Sequence, residues 1–217
     1  LQELHRKFPF IVVWDDHESS NDAYKDGAGN HAPMTEGPWA SRKAASVRAY
    51  FEWMPIRETL PGKIWRTVRF GNLVDLFMLD TRLWGRDESI SLKSQLDDPR
   101  TLLGLDQEEW LYGELQSSSA QWRILGQQVM MAQLKGVGAP NTGGGGGFTN
   151  NDQWDGYRGA RKRLYDTIKE GAVDNIVVLT GDIHSSWANE LVQDPNNDDA
   201  YNPETGEGAL GVEFVTP

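Results

Sequence analysis

The chain has 217 residues, 38% of them hydrophobic and 24% charged, which are ordinary proportions for a globular domain able to bury a core. Its formal charge of −11, from 21 Lys and Arg against 32 Asp and Glu, argues against a nucleic-acid binder, because phosphate contacts need clustered bases. No apolar run approaches the ~18 residues that cross a bilayer, and the absence of cysteine excludes disulfides and thiolate metal sites within these residues.

Leu1-Gln2-Glu3-Leu4-His5-Arg6-Lys7-Phe8 reads as the last turns of a helix stopped before Pro9, and it lacks the apolar core of a signal peptide. With no initiator Met, and an abrupt end at Val215-Thr216-Pro217, the chain reads as a piece of a longer one. Phe10-Ile11-Val12-Val13-Trp14 is the continuous apolar run expected of a strand covered on both faces, and it runs straight into Asp15-Asp16-His17-Glu18. A polar loop rich in Gly and Pro follows. Ala40, Ala44, Val47, Phe51 and Met54 then recur at helical spacing until Pro55.

The alternation from Ile64 to Phe70 predicts a half-exposed strand, Asn72 a hairpin turn, and Val74 to Leu79 a second strand ending at Asp80-Thr81-Arg82. Asp106 to Leu115 reads as a helix with Asp106 as N-cap and Glu109 three residues on. Ile124-Leu125 and Val129-Met130-Met131 read as strand. The five glycines from Gly143 to Gly147 lack the Lys-Ser/Thr of a phosphate-binding loop and read as a surface loop. Arg158 to Lys169 is helical in pattern. Asn175 to Leu179 is a buried-type strand ending at Thr180-Gly181-Asp182-Ile183-His184, and Val212 to Val215 is a last short strand. This order describes a mixed α/β layered domain.

Charge is unevenly placed. Up to Lys169 there are 22 acids and 21 bases; from Glu170 onward there are 10 acids and no Lys or Arg. That last quarter is either a solvated acidic loop or a region facing a cation.

Two segments share one design, a hydrophobic strand that ends abruptly in Asp and His. Polar groups at the carboxyl ends of buried strands are where α/β folds place their sites. Carboxylates with imidazoles suit Zn, Fe or Mn, and carboxylates with carbonyls suit Ca or Mg. Asp182 and His184 are two residues apart, so on an extended strand end they would point the same way. Each cluster alone also fits a solvated loop or a helix cap. Of the other two histidines, His5 and His31 read as structural or solvated.

Trp14-Asp15-Asp16-His17-Glu18, Leu76-Phe77-Met78-Leu79-Asp80-Thr81-Arg82, Leu105-Asp106-Gln107 with Trp110-Leu111, Trp154-Asp155-Gly156-Tyr157, and Leu179-Thr180-Gly181-Asp182-Ile183-His184 together resemble the alkaline phosphatase D family of the calcineurin-like metallophosphoesterase superfamily. The resemblance covers nearly the whole chain, in the family's order. It implies an α/β (α+β) fold, a sandwich of two mixed β-sheets flanked by helices, here incomplete. Residues 1–217 would then be the C-terminal part of one catalytic domain, truncated at both ends, with the family's first metal ligands lying upstream.

By the same resemblance Asp15, Asp16, Asp182 and His184 hold metals, with Asn21, a short step past the first cluster, as a further ligand. His17 contacts phosphate or protonates the leaving oxygen. Ile124-Leu125-Gly126-Gln127 lies where the family's intermediate His motif is expected, and Gln127 is not assigned as a ligand. Arg82 is assigned as the catalytic cation that binds the phosphate, its rival role being a structural ion pair with Asp80. The family implies Fe with Ca, with Zn, Mn or Mg as other possible metals, in a dinuclear or multinuclear site with ions ~3.5–4 Å apart. The implied chemistry is hydrolysis of a small phosphomonoester or phosphodiester in a secreted, periplasmic or cell-surface protein. The competing readings are a catalytically incomplete fragment and a non-catalytic secreted module binding Ca²⁺ through its acidic last quarter, where Asp194 to Asp199 comes nearest to a regular calcium loop.

Overall fold

The structure is a computed structural model and describes residues 2–90, 97–133 and 150–217. Three helices come first, α1 (Gln2–Lys7), α2 (Pro33–Glu36) and α3 (Trp39–Trp53), followed by strands β1 (Arg66–Phe70) and β2 (Val74–Met78). Helix α4 (Leu105–Ser117), strand β3 (Trp122–Gly126), a 3₁₀ turn (Trp154–Tyr157) and helix α5 (Arg158–Glu170) come next, and β4 (Ile176–Thr180), β5 (Trp187–Leu191) and β6 (Gly211–Val215) complete the chain. The strands form one sheet in the order β1-β2-β3-β4-β6-β5. Its inner strands β2, β3, β4 and β6 are parallel, and β1 and β5 close the edges antiparallel. The apolar runs at 74–79 and 176–179 thus take the inner, parallel positions that their composition suits.

One face of the sheet is the core. Phe77, Leu125, Val178 and Val215 pack against Leu111 and Leu115 of α4 and Leu164 and Ile168 of α5. The other face aligns Leu76, Ile124, Val177 and Val212 across four strands, and Leu179 and Phe214 on it are 45% and 48% exposed. The mixed α/β class with flanking helices is as expected, but among the described residues there is one sheet and not two. Residues 10–14, expected to be a buried strand, pair with no strand there. The carbonyl of Val12 instead accepts from the Arg66 guanidinium at 3.0 Å, and Val12, Val13 and Trp14 serve a second apolar cluster with Tyr50, Ile64 and Leu83. Trp14 meets Tyr50 edge-on at 5.2 Å, which docks the run onto α3.

Three smaller expectations also change. Helix α4 starts at Leu105, so its N-cap is Gly104, at φ +85°, two residues before the expected Asp106. Val129 to Met131 is buried but follows the end of β3. Strand β5 was not foreseen. The glycines at 143–147 lie outside the described residues.

Buried glutamines fasten the carboxyl ends of β2 and β3. Gln107 pairs with the backbone N–H and carbonyl of Asp80, each at 2.9 Å. Gln128 accepts from the Thr81 backbone at 3.0 Å and donates to the Leu79 carbonyl at 2.9 Å. Asp80, fully buried, accepts the backbone N–H groups of Arg82 and Leu83 at 2.8 Å. The chain therefore leaves β2 along a fixed path that carries Arg82 to the carboxyl edge of the parallel strands.

Candidate metal centre

Three chain segments meet at that edge. The turn after Trp14 is built around Asp16, whose carbonyl accepts from Ser19 and Ser20 at 2.8 and 2.7 Å and whose Oδ2 accepts from the Asp22 backbone at 2.9 Å. Glu18 closes the turn by accepting from the Asp15 backbone at 2.6 Å. The second segment brings Asp182, two residues beyond β4. A ligand oxygen from each of Asp15, Asp16 and Asp182 lies within 4.8 Å of the others. The third segment brings Asp152, just before the 3₁₀ turn.

Arg82 sits among them with no solvent exposure. Its Nε donates to Asp15 Oδ1 at 2.7 Å, Nη1 to both oxygens of Asp152 at 2.9 and 2.7 Å, and Nη2 to Asp182 Oδ1 at 2.9 Å. Arg86, also buried, donates to the carboxylate and carbonyl of Asp152 and, through Nε, to the Tyr157 hydroxyl at 3.1 Å.

Negative charge is in surplus. Burial pushes the Asp182 carboxyl up to about 6, and Asp15, Asp152 and Asp16 add to the rise against the opposing effect of Arg82. Burial and then Asp152 likewise raise Asp22. Asp152 goes the other way: burial would raise it, but Arg86 and Arg82 hold it below the usual carboxylate range. Asp15 and Asp182 each give one oxygen to Arg82, leaving the second for another partner. Converging hard oxygens with uncompensated charge are a donor set suited to Ca²⁺, Mg²⁺ or Mn²⁺, so these residues fit a metal ion.

The sequence-predicted residues separate into two groups. Asp15, Asp16, Asp182 and Arg82 come together. His17 is exposed next to them, its Nε2 3.9 Å from Asp16 Oδ1. Asn21 lies in the turn between Asp16 and Asp22, where its carbonyl accepts from Gly29 at 2.9 Å. His184 is exposed and stays outside the carboxylate cluster. The expected extended strand end is not formed there: β4 stops at Thr180, and Asp182 and His184 both take left-handed backbone, at φ +67° and +56°, so alternation does not govern their directions.

Asp80 is not the ion-pair partner of the Arg82 guanidinium, since it binds backbone N–H groups instead. Gln127 is buried and spends its amide on Val129, Thr180 and Trp154. Sequence reasoning missed Asp22, Asp152 and Arg86. The signal available for Arg86 was its place four residues after Arg82 in an otherwise apolar stretch.

The molecule so described is a mixed α/β domain with a cluster of carboxylates around a buried arginine at the carboxyl ends of its parallel strands. The model of the family described as PhoD, PhoD-like phosphatase, matches residues 1–217. Alkaline phosphatase D of Bacillus subtilis (strain 168) is 36% identical over 227 residues, an alignment covering 99% of this chain and 36% of that protein. A solved structure described as "Structure of PhoD" superposes with a TM-score of 0.78 at 33% identity, over 96% of this chain and 39% of that one. The chain belongs to the PhoD-like phosphatase family, and it spans about a third of the length of the curated relative it matches.

Proposed function

We propose that this chain supplies part of the active site of a cation-dependent phosphoester hydrolase, acting on phosphomonoesters, phosphodiesters or both. The observation that carries the reading is the convergence of Asp15, Asp16 and Asp182 around a buried arginine, in a chain of the PhoD-like phosphatase family. Asp15, Asp16 and Asp182 would hold one cation, with Asn21 and, from outside the carboxylate cluster, His184 as further ligands of a dinuclear or multinuclear site. Family resemblance favours Fe with Ca; the oxygen donors equally accommodate Mg or Mn. A bound cation supplies Lewis acidity toward a phosphoryl oxygen and toward water.

His17 is exposed beside the cluster, where its imidazole can reach an incoming phosphoester and give a proton to the leaving oxygen. The buried turn under Asp16 fixes the direction of that side chain from below. The chain spans only 36% of the length of the alkaline phosphatase D it matches, so the 217 residues by themselves are expected to turn substrate over poorly or not at all. By family resemblance we read the full protein as secreted, periplasmic or displayed at the cell surface.

The test is hydrolysis of p-nitrophenyl phosphate and its bis-ester by the full protein, with metals added and removed, for the wild type and His17→Ala. Activity that needs metal and falls about 100-fold or more in the variant supports the reading. A metal-independent rate, or a His17→Ala rate equal to wild type, defeats it.

A further inference from the structure

A guanidinium offers five N–H donors in a fixed planar fork. In Arg82 all three nitrogens are engaged inside the protein, by carboxylates from three separate segments at 2.7 to 2.9 Å. A residue that grips a phosphate needs an open edge for a bidentate contact, whereas Arg82 is wholly buried and its edges face Asp15, Asp152 and Asp182. Its surroundings are just as fixed. Asp80 holds its backbone N–H at 2.8 Å, and Arg86, braced by Tyr157, holds Asp152 from the far side.

We propose that Arg82 is a positioning residue, which sets the spacing of Asp15 and Asp182 for the cation and does not touch the phosphoester. The inference rests on reading Asp15, Asp16 and Asp182 as cation ligands. Left alone, carboxylates this close repel one another, and one of them takes up a proton or swings away. Arg82 takes one oxygen from Asp15 and one from Asp182, so the two remaining oxygens are presented from opposite segments at a set separation. Partners that orient metal ligands in this way commonly matter about 10- to 100-fold in metal affinity.

The experiment uses the full protein and two probes, Ca²⁺ alone and inorganic phosphate. Arg82→Lys keeps the positive charge, but one ammonium cannot span three carboxylates. The expected result, by titration calorimetry, is a Ca²⁺ dissociation constant about 10- to 100-fold higher than wild type. The inhibition constant of phosphate, measured at saturating Ca²⁺, stays within about two-fold. Unchanged Ca²⁺ affinity overturns the inference, most plainly if phosphate inhibition weakens instead.

If Arg82→Lys does not unfold cooperatively, a crystal structure of the wild-type protein with Ca²⁺ and phosphate decides. A guanidinium still on Asp15 and Asp182 supports the inference; a phosphate oxygen within about 3.2 Å of an Arg82 nitrogen overturns it. A wild type that binds no cation defeats the function reading and this inference together. A wild type that binds Ca²⁺, with an Arg82→Lys that binds it equally well, defeats this inference alone.

Discussion

Gly156 is the position where a single methyl group should report on how firmly the site is held. An ideal Cβ there would lie 1.9 Å from the Asn151 carbonyl oxygen, 2.7 Å from its carbon and 3.0 Å from its Cα. The obstacle is backbone, which cannot rotate away as a side chain would. Reaching even the tightest tolerated separation, about 3.0 Å, requires the two segments to part by about 1.1 Å. Asn151 adjoins Asp152, whose contacts to Arg82 at 2.7 and 2.9 Å would stretch beyond hydrogen-bonding range under such a shift. The bond from Arg100 to the Gly156 carbonyl, 2.7 Å, would be disturbed as well.

Overpacking of this kind costs about 1–3 kcal/mol, and a weakened charged hydrogen bond raises the total to about 3 kcal/mol. For a protein of this size that lowers Tm by roughly 6–12 °C. The assay is thermal unfolding of Gly156→Ala followed by circular dichroism. Gly113→Ala is the control: Gly113 is exposed in the middle of α4, with nothing within 4 Å of its Cβ position. That change should stabilise by about 0.5–1 kcal/mol. A Gly156→Ala melt within about 2 °C of wild type would refute the packing argument.

Two further outcomes follow from the same contacts. Asp80 is fully buried and its carboxyl is raised, with burial the leading cause against the backbone N–H of Arg82. A raised folded value means that its contribution to stability is complete below the unfolded value, about 3.9, and is lost as pH rises through the folded one. Asp80→Asn keeps an oxygen for the two N–H groups and cannot ionise, so wild type should lose ground to it as pH rises; urea unfolding showing a constant gap from pH 4 to pH 8 would contradict this. Ca²⁺ at about 100 times its dissociation constant should stabilise the wild type by about 2.7 kcal/mol, or roughly 5–11 °C in Tm, reversed by chelation. Equal melting temperatures with Ca²⁺ and with chelator would count against a cation between Asp15, Asp16 and Asp182.

Much of the fold was legible because local pattern and tertiary role agree in it. Helix α3 lies one residue from the position its apolar spacing predicts, β1 lies within the alternation from Ile64 to Phe70, and β2, β4 and β6 lie where short apolar runs end at charged or turn residues. Two failures have specific causes. An apolar run such as residues 10–14 looks the same whether it joins a ladder or lines a cluster, and only the Arg66 contact to Val12 distinguishes them. The segment Trp187-Ala188-Asn189-Glu190-Leu191 contains no β-branched residue, so β5 owes its strand to pairing with β6 and not to propensity.

At the site, the strand-end carboxylates were legible as types of residue, but their arrangement was not. The partners of Arg82 lie 67, 70 and 100 residues away in sequence. Asp152 follows a glycine-rich stretch that reads as featureless loop. The left-handed backbone at Asp182 and His184 is set by the turn, which alternation along a strand cannot anticipate.

The overall charge of −11 turns out to be a poor guide to the carboxylate cluster. Most of the surplus lies after Lys169, yet Asp15, Asp16, Asp22 and Asp152 come from the part of the chain where acids and bases nearly balance, and only Asp182 comes from the acidic quarter. What singles out the site is the local imbalance of five carboxylates around two buried arginines. Arg82 and Arg86 suffice to keep Asp152 charged, but they leave Asp182 raised to about 6. A third arginine would offset the remainder and also fill the space between the segments with donors that have no open side. A divalent cation offsets the same charge from one point while keeping coordination positions open to solvent and substrate. Asp15 and Asp182 each keep an oxygen that Arg82 does not engage, which is what the proposed cation would need and a closed salt-bridge network would not leave.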